Sequence, residues 1–210
     1  MSYPSSRALA VADLNGSLIT VVKLDRALTS IAAVDGKLVG IDPRLGAVVV
    51  LSLEGEVRKV LSEARFANPI SVTVVNGSIA VYDSFHGCLY FLDLKGDVKG
   101  KLEVSFPLLG ISGAAEGIWA VLPQNQTLAL LSWSELKVIR WFYLPTTAPY
   151  DVEWDGLRLW MVDYSSFEVL VIDPSRRVYR VVGREPPSWL PVLYLVLLFP
   201  FILSALSKRR

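Results

Sequence analysis

Apolar and polar positions alternate along this chain in short blocks, not at helical spacing. Apolar runs KLVGID, SIAVYD, IWAVLP and LRLWMVD occupy 37–42, 78–83, 118–123 and 157–163. Each is followed by a polar or glycine-containing turn: PRLG, SFHG, QNQ and YSS. A second apolar run follows the turn (AVVVLSLEG, CLYFLDLKG, TLALLSWSE, FEVLVIDPS), then a more polar third run (EVRKVL, DVKGKLEV, LKVIRWFYL, RVYRVV). A further run precedes each set: SIAAVDG, ISVTVVNG, LLGISGAAEG and YDVEWDG. The runs are rich in β-branched and aromatic residues and punctuated by Gly, Asn and Asp, which predicts four short strands per unit.

The units recur. Taking Gly36, Gly77, Gly117 and Gly156 as the turn glycines before the second strand, successive units lie 41, 40 and 39 residues apart. A fixed period near 40 points to a propeller or a solenoid. The first three strands of each unit are apolar on both faces and the fourth is mixed, as expected of a propeller blade read from its inner strand to its outer edge. Residues 31–61, 70–104, 108–144 and 148–182 make four full units. Residues 8–13, 17–25 and 26–30 match the second, third and fourth strands of a unit whose first strand is missing. Three arrangements fit: a three-stranded blade, a blade completed by another segment, or a chain that starts upstream. The fold class expected is all-β, a β-propeller of about five four-stranded blades with the first incomplete, plus one C-terminal transmembrane helix.

Two stretches carry a family resemblance. Pro69-Ile-Ser-Val, Asn76-Gly77, Val81-Tyr-Asp83 and Leu89-Tyr-Phe-Leu-Asp93 form one; Pro149-Tyr-Asp-Val, Asp155-Gly156, Met161-Val-Asp163 and Val169-Leu-Val-Ile-Asp173 form the other. Both resemble the blade consensus of the NHL and YVTN repeat propellers, and the likeness covers roughly residues 7–183. It implies a fold whose members mostly act as binding platforms and only sometimes as enzymes. Residues 117–133 depart from it, with Pro123 where the other units carry Asp.

The pattern breaks after the propeller region, 1–183. Residues 184–188 hold Pro186-Pro187, an extended spacer. Residues 189–206, WLPVLYLVLLFPFILSAL, are 18 residues without a charge. As a helix they span about 27 Å, close to the hydrocarbon thickness. Trp189 suits the interface, and the basic tail 207–210, with Lys208, Arg209 and Arg210, closes the run. A buried or oligomerising helix is the competing reading. The basic tail favours a cytoplasmic C-terminus and an external propeller. Sequons at Asn15, Asn76 and Asn125, candidate glycosylation sites, agree with export. Two of them are Asn-Gly pairs, ordinary hairpin chemistry. No signal peptide is visible, which argues the other way. The balance falls on the extracytoplasmic side.

Charge and reactive residues narrow the function. A formal net charge of +1 gives no basic field for nucleic acid. The one cysteine, Cys88, excludes an internal disulfide, and the one histidine, His86, excludes a multi-histidine metal site. No cofactor motif is present, since the glycines fall at turns. Asp13, Asp42, Asp83 and Asp163 are expected to end second strands and to accept backbone hydrogen bonds in their own turns. Candidate partner-binding residues are Arg44, Phe85, His86, Gln124, Gln126 and Tyr164 in the turns, with Arg65 and Phe66 in a connection. The resulting expectation is a membrane-anchored, non-catalytic propeller that binds a protein partner, with an integral membrane protein among the candidates, as a subunit of a membrane assembly. The alternative is a propeller-type hydrolase or lyase with its site at the central channel. An anchor leaving from the loop-bearing face would set Arg44, Phe85, His86 and Tyr164 near the lipid.

Overall fold

A computed structural model describes residues 7–13, 15, 17–62, 66–146, 148–166, 168–175, 178–182 and 194–195. Strands β1 (Ala8–Ala12) and β2 (Leu18–Lys23) form a partial N-terminal sheet. Four antiparallel four-stranded sheets follow. Blade 1 is β3 (Ile31–Val34), β4 (Lys37–Asp42), β5 (Ala47–Leu51) and β6 (Val57–Ser62). Blade 2 is β7 (Pro69–Val75), β8 (Ser78–Asp83), β9 (Cys88–Leu92) and β10 (Val98–Glu103). Blade 3 is β11 (Ile111–Ala114), β12 (Gly117–Leu122), β13 (Thr127–Leu131) and β14 (Val138–Tyr143). Blade 4 is β15 (Pro149–Trp154), β16 (Leu159–Asp163), β17 (Glu168–Asp173) and β18 (Val178–Val182). The arrangement is that of a β-propeller, with no α-helix among the described residues.

Local chemistry explains the hairpins. Asp35-Gly36 and Asn76-Gly77 join the first two strands of blades 1 and 2, with φ of 46° and 71°, and 48° and 74°. Left-handed values at both turn residues give the tight turn whose twist matches the flanking strands. Blade 3 differs from the sequence expectation. Its turn is Ala115-Glu116, and Gly117 is the first residue of β12, paired with Ala114. A Cβ there would strike the Leu131 carbonyl, so this glycine serves close packing and not turning.

The hydrophobic core lies between sheets, one cluster per interface. Leu9 and Leu24 meet Leu38 and Leu51 between the partial sheet and blade 1. Val39 and Ile41 meet Val72 and Ile79 between blades 1 and 2. Ala80 and Leu89 meet Ile118 and Leu131 between blades 2 and 3, and Trp119 and Leu128 meet Val152 and Met161 between blades 3 and 4. Each fully buried aliphatic side chain contributes roughly 1.5–3 kcal/mol. Strands buried on both faces are therefore the ones that hold successive blades together.

The partial sheet corrects the sequence reading. The Leu24 amide donates to the Arg7 carbonyl as Val104 donates to Gly87 and Leu144 to Gln126. The Asp13 amide bonds Ser17 across its turn as Asp93 bonds Asp97. β1 and β2 are therefore equivalent to third and fourth strands, not to second and third. Residues 26–30 are a blade-to-blade connection and not a strand, and Asp13 belongs to a third-to-fourth-strand turn. The error arose because both hairpins of a blade join two apolar runs through a short polar turn. The inner edge of β1 carries a two-residue parallel pairing, Leu9 with Tyr194 and Ala10 with Leu195 (β19). Those two are the described residues of the stretch read as a membrane helix, whose remainder, like the linker and the basic tail, lies outside the described residues. No helix among the described residues is long and apolar enough to cross a membrane.

Candidate functional site

Antiparallel blades divide the turns between two faces. One face carries the second-to-third-strand turns and the blade-to-blade connections; the other carries the remaining hairpin turns. On the first face the turns of blades 1, 2 and 4 are each held by an aspartate at the end of the second strand. Asp83 is fully buried and accepts from the amides of Ala67 (2.8 Å), Asn68 (3.0 Å) and Phe85 (3.1 Å). His86 Nδ1 lies 2.8 Å from Oδ2, the same oxygen that accepts from Ala67, whereas Asn68 and Phe85 donate to Oδ1. Asp42 accepts from the Arg44 and Leu45 amides and meets the Arg26 guanidinium at 3.5 Å. Asp163 accepts from the Ser165 amide and hydroxyl and from the Ser166 hydroxyl, and Thr146 also bonds it. The aspartates thus do more than cap their own turns: each also ties its turn to the incoming connection.

Electrostatics follows from this wiring. Burial pushes the Asp83 carboxyl up, but the donors from Ala67, His86, Asn68 and Phe85 together outweigh it, and its pKa lies below the ordinary value. Asp163 behaves alike, with burial opposed by Thr146, Ser165 and Ser166. Both stay ionised and fixed at neutral pH.

The pinned turns hold their tips in solvent. Phe85 is 75% exposed and Tyr164 48%. Phe85 stands edge-on to His86 at 5.3 Å, and Tyr164 lies 6.0 Å from Tyr150. Arg44, His86, Gln124 and Gln126 are exposed on the same face. In blade 3, Pro123–Asn125 forms a 3-10 turn in place of the aspartate device, closed by Gln126 at φ 49°. Phe66 is the exception: it is 7% exposed, packed edge-on against Tyr90 between blades 1 and 2, because its connection folds inward under the turns. It is a core residue and not a contact residue. Arg65 lies outside the described residues. The candidate residues are therefore neighbours by face, spread over four blades, and not a single cleft. Asn125 shares this face, whereas Asn15 and Asn76 sit on the opposite one; all three are exposed. Cys88 is buried in β9, as its apolar run implied.

A second constellation, missed in the sequence, lies on the inner strands. The Ser30 hydroxyl accepts from the Val72 amide (3.1 Å), Ser71 from Ile111 (3.0 Å), Thr73 from Gly113 (2.9 Å) and Ser112 from Trp154 (2.9 Å). Short hydroxyls thus stitch each inner strand to the next, one between blades 1 and 2, two between blades 2 and 3 and one between blades 3 and 4. Gly110 takes the equivalent place in blade 3, where a Cβ would come within 2.5 Å of the Asp151 Cα. The series ends on carboxyls: Ser30 bonds Asp151, joining blade 4 to blade 1, and Ser112 bonds Glu153 at 3.2 Å. Burial raises Asp151 to about 7. Burial and then the neighbouring Asp151 charge raise Glu153 to about 8. The only sequence signal was the recurrence of Ser or Thr inside otherwise apolar first strands. Among the described residues no three His, Cys, Asp or Glu side chains converge as a metal site.

No family model and no curated protein matches this chain. Solved structures do match. Myxococcus xanthus glutaminyl cyclase aligns with a TM-score of 0.61 at 13% identity over 80% of this chain and 70% of its own. Virginiamycin B lyase from Staphylococcus aureus, solved with quinupristin, aligns with a TM-score of 0.53 at 15% identity over 80% of this chain. The Neurospora crassa Pan2 WD40 domain aligns with a TM-score of 0.51 at 12% identity, over 81% of this chain and 70% of its own. This chain spans about 60% of the length of the lyase. These neighbours include enzymes and a WD40 domain, and at such identities what they share with this chain is the propeller fold.

Proposed function

We propose that this chain is a non-catalytic, NHL- or YVTN-like propeller held at a membrane by residues 189–206, where it binds a protein partner. The observation that carries this reading is the pinned face: buried Asp42, Asp83 and Asp163 fix turns whose exposed tips include Phe85 and Tyr164. Rigid exposed aromatics are the residue type that anchors protein partners, because little side-chain entropy is lost on contact. The apolar run of 18 uncharged residues followed by Lys208-Arg209-Arg210 supports the anchor and an extracytoplasmic propeller. Membranes are washed with alkaline carbonate, and the full chain is expected to stay in the pellet while a chain lacking 186–210 is released. Release of the full chain would reject the anchor and favour the tail as a partner of β1, through Tyr194 and Leu195. A partner recovered from detergent-solubilised membranes should be lost with Phe85→Ala/Tyr164→Ala at unchanged sheet content. Retention of the same partner by that variant would overturn the binding face.

The alternative, a hydrolase or lyase acting at the ring axis, is favoured by Asp151 and Glu153, two carboxyls raised toward neutrality that could exchange protons there. A bound divalent ion in stoichiometric amount in the purified chain, lost on Asp151→Asn/Glu153→Gln, would favour it.

A further inference from the structure

The outer edges of the blades are not alike. β6 presents Arg58 and Lys59 to solvent, and β10 presents Lys99, Lys101 and Glu103. β14 presents Val138, Ile139, Trp141 and Tyr143 instead, and β2 presents Leu18, Ile19 and Val21. Trp141 and Tyr143 stand edge-on at 5.0 Å, and Tyr143 is 70% and Ile19 63% exposed. The two apolar rims are equivalent by register: Trp141 pairs with Ala129 as Val21 pairs with Ala10.

Their places in the ring give them meaning. The core clusters run in the order partial sheet, blade 1, blade 2, blade 3, blade 4, and Ser30–Asp151 joins blade 4 back toward blade 1. Blade 4 therefore lies between the two apolar rims, and the two charged rims lie across the ring. Blade 4 is also the blade from which the chain leaves. β18 ends at Val182, and the six residues 183–188 reach at most roughly 20 Å before the uncharged run begins.

We propose that the propeller rests edge-on against the bilayer, with the rims of β14 and β2 seated in the lipid headgroup layer on the side of the ring from which the chain leaves. This inference rests on the anchored reading above. Trp and Tyr are the aromatic residues that favour the membrane–water interface, and Arg140 and Lys23 on the same strands can reach lipid phosphates. The charged rims of blades 1 and 2 then face water, and short tethering on blade 4 makes the contact effectively intramolecular. Both turn-bearing faces stand across the membrane plane, which leaves Phe85 and His86 on blade 2 in water instead of at the lipid.

The test uses the full chain, with Cys88→Ala, in vesicles of phosphatidylcholine and phosphatidylglycerol, carrying single spin labels. Labels at Ile19, Trp141 and Tyr143 should collide several-fold less with a water-soluble nickel chelate, relative to oxygen, than labels at Lys59 and Lys99. Labels at Phe85 and Lys95, on opposite faces of blade 2, should read alike. A second measurement needs no label: brominated lipid should quench tryptophan emission of the unmodified chain, and Trp141→Phe should remove a resolvable share of that quenching. Equal nickel access at all five rim positions, with the chain resistant to carbonate, would overturn the edge-on contact while leaving the anchor standing. Rim labels shielded from both oxygen and nickel would overturn it in favour of a protein cover. Release of the chain by carbonate would overturn the anchor and this contact together.

Discussion

Two glycines separate backbone strain from steric contact. Gly77 and Gly96 both have positive φ, 74° and 96°. A Cβ on Gly77 meets nothing within 4 Å, whereas one on Gly96 would lie 2.5 Å from the Leu61 carbonyl of the preceding blade. Gly55 repeats the second case against Lys23, so the contact belongs to the blade stacking. Gly77→Ala is therefore expected to cost about 1 kcal/mol, the strain of a left-handed alanine alone. Gly96→Ala should cost that and roughly 1–3 kcal/mol more, because backbone must move. Urea unfolding of the full chain in detergent measures both, and equal costs would show that the close approach does not matter.

At the scale of elements, adjacent inner strands are joined by side-chain acceptors where a continuous sheet would have a backbone ladder. Ser71 is 1% exposed and holds the Ile111 amide at 3.0 Å. Ser71→Ala leaves a buried N–H without an acceptor, at a cost of about 1–3 kcal/mol. Thr20, on the outer strand β2, is exposed, and Thr20→Ala should fall within about 0.5 kcal/mol. Thermal melts of the two variants side by side decide this; similar midpoints would mean that the hydroxyl stitches are incidental. The same comparison bears on Trp119, 1% exposed between blades 3 and 4 against Phe142 and Trp154. Trp119→Ala should cost about 3–5 kcal/mol by opening that interface.

For the whole molecule, the carboxyls give stability a maximum in pH. The folded pKa values of Asp83 and Asp163 are lowered, so the stability they contribute is present above the unfolded value and is lost as pH falls through the folded one. Asp151 and Glu153 are raised to about 7 and about 8, so the protonated fold is favoured and stability declines as pH climbs through those values. Both keep some solvent contact, which screens part of the cost, so the pair together weakens the fold by on the order of 2 kcal/mol at high pH. The melting temperature should peak between about pH 4 and 5 and fall by several degrees toward pH 9. Asp151→Asn/Glu153→Gln should flatten the alkaline limb and leave the acid limb alone. An alkaline limb unchanged in that variant would place the titration elsewhere.

Periodicity alone determined the β-fold, the four full blades and the turns on which Arg44, Phe85, His86, Gln124, Gln126 and Tyr164 sit, because strand pairing within a blade is local and its turns are written in Asn, Asp and Gly. Sequence also set the apolar run at 189–206 and its basic end. Tertiary structure decided what depends on neighbours distant in the chain. It made β1 and β2 third and fourth strands, since only their pairing partners distinguish one hairpin of a blade from the other. Phe66 went inward, because the fate of a connection depends on the two blades it bridges. Asp83 became a clasp between Ala67 and Phe85, and Ser30 was brought to Asp151, a contact made across the ring and invisible in any local pattern.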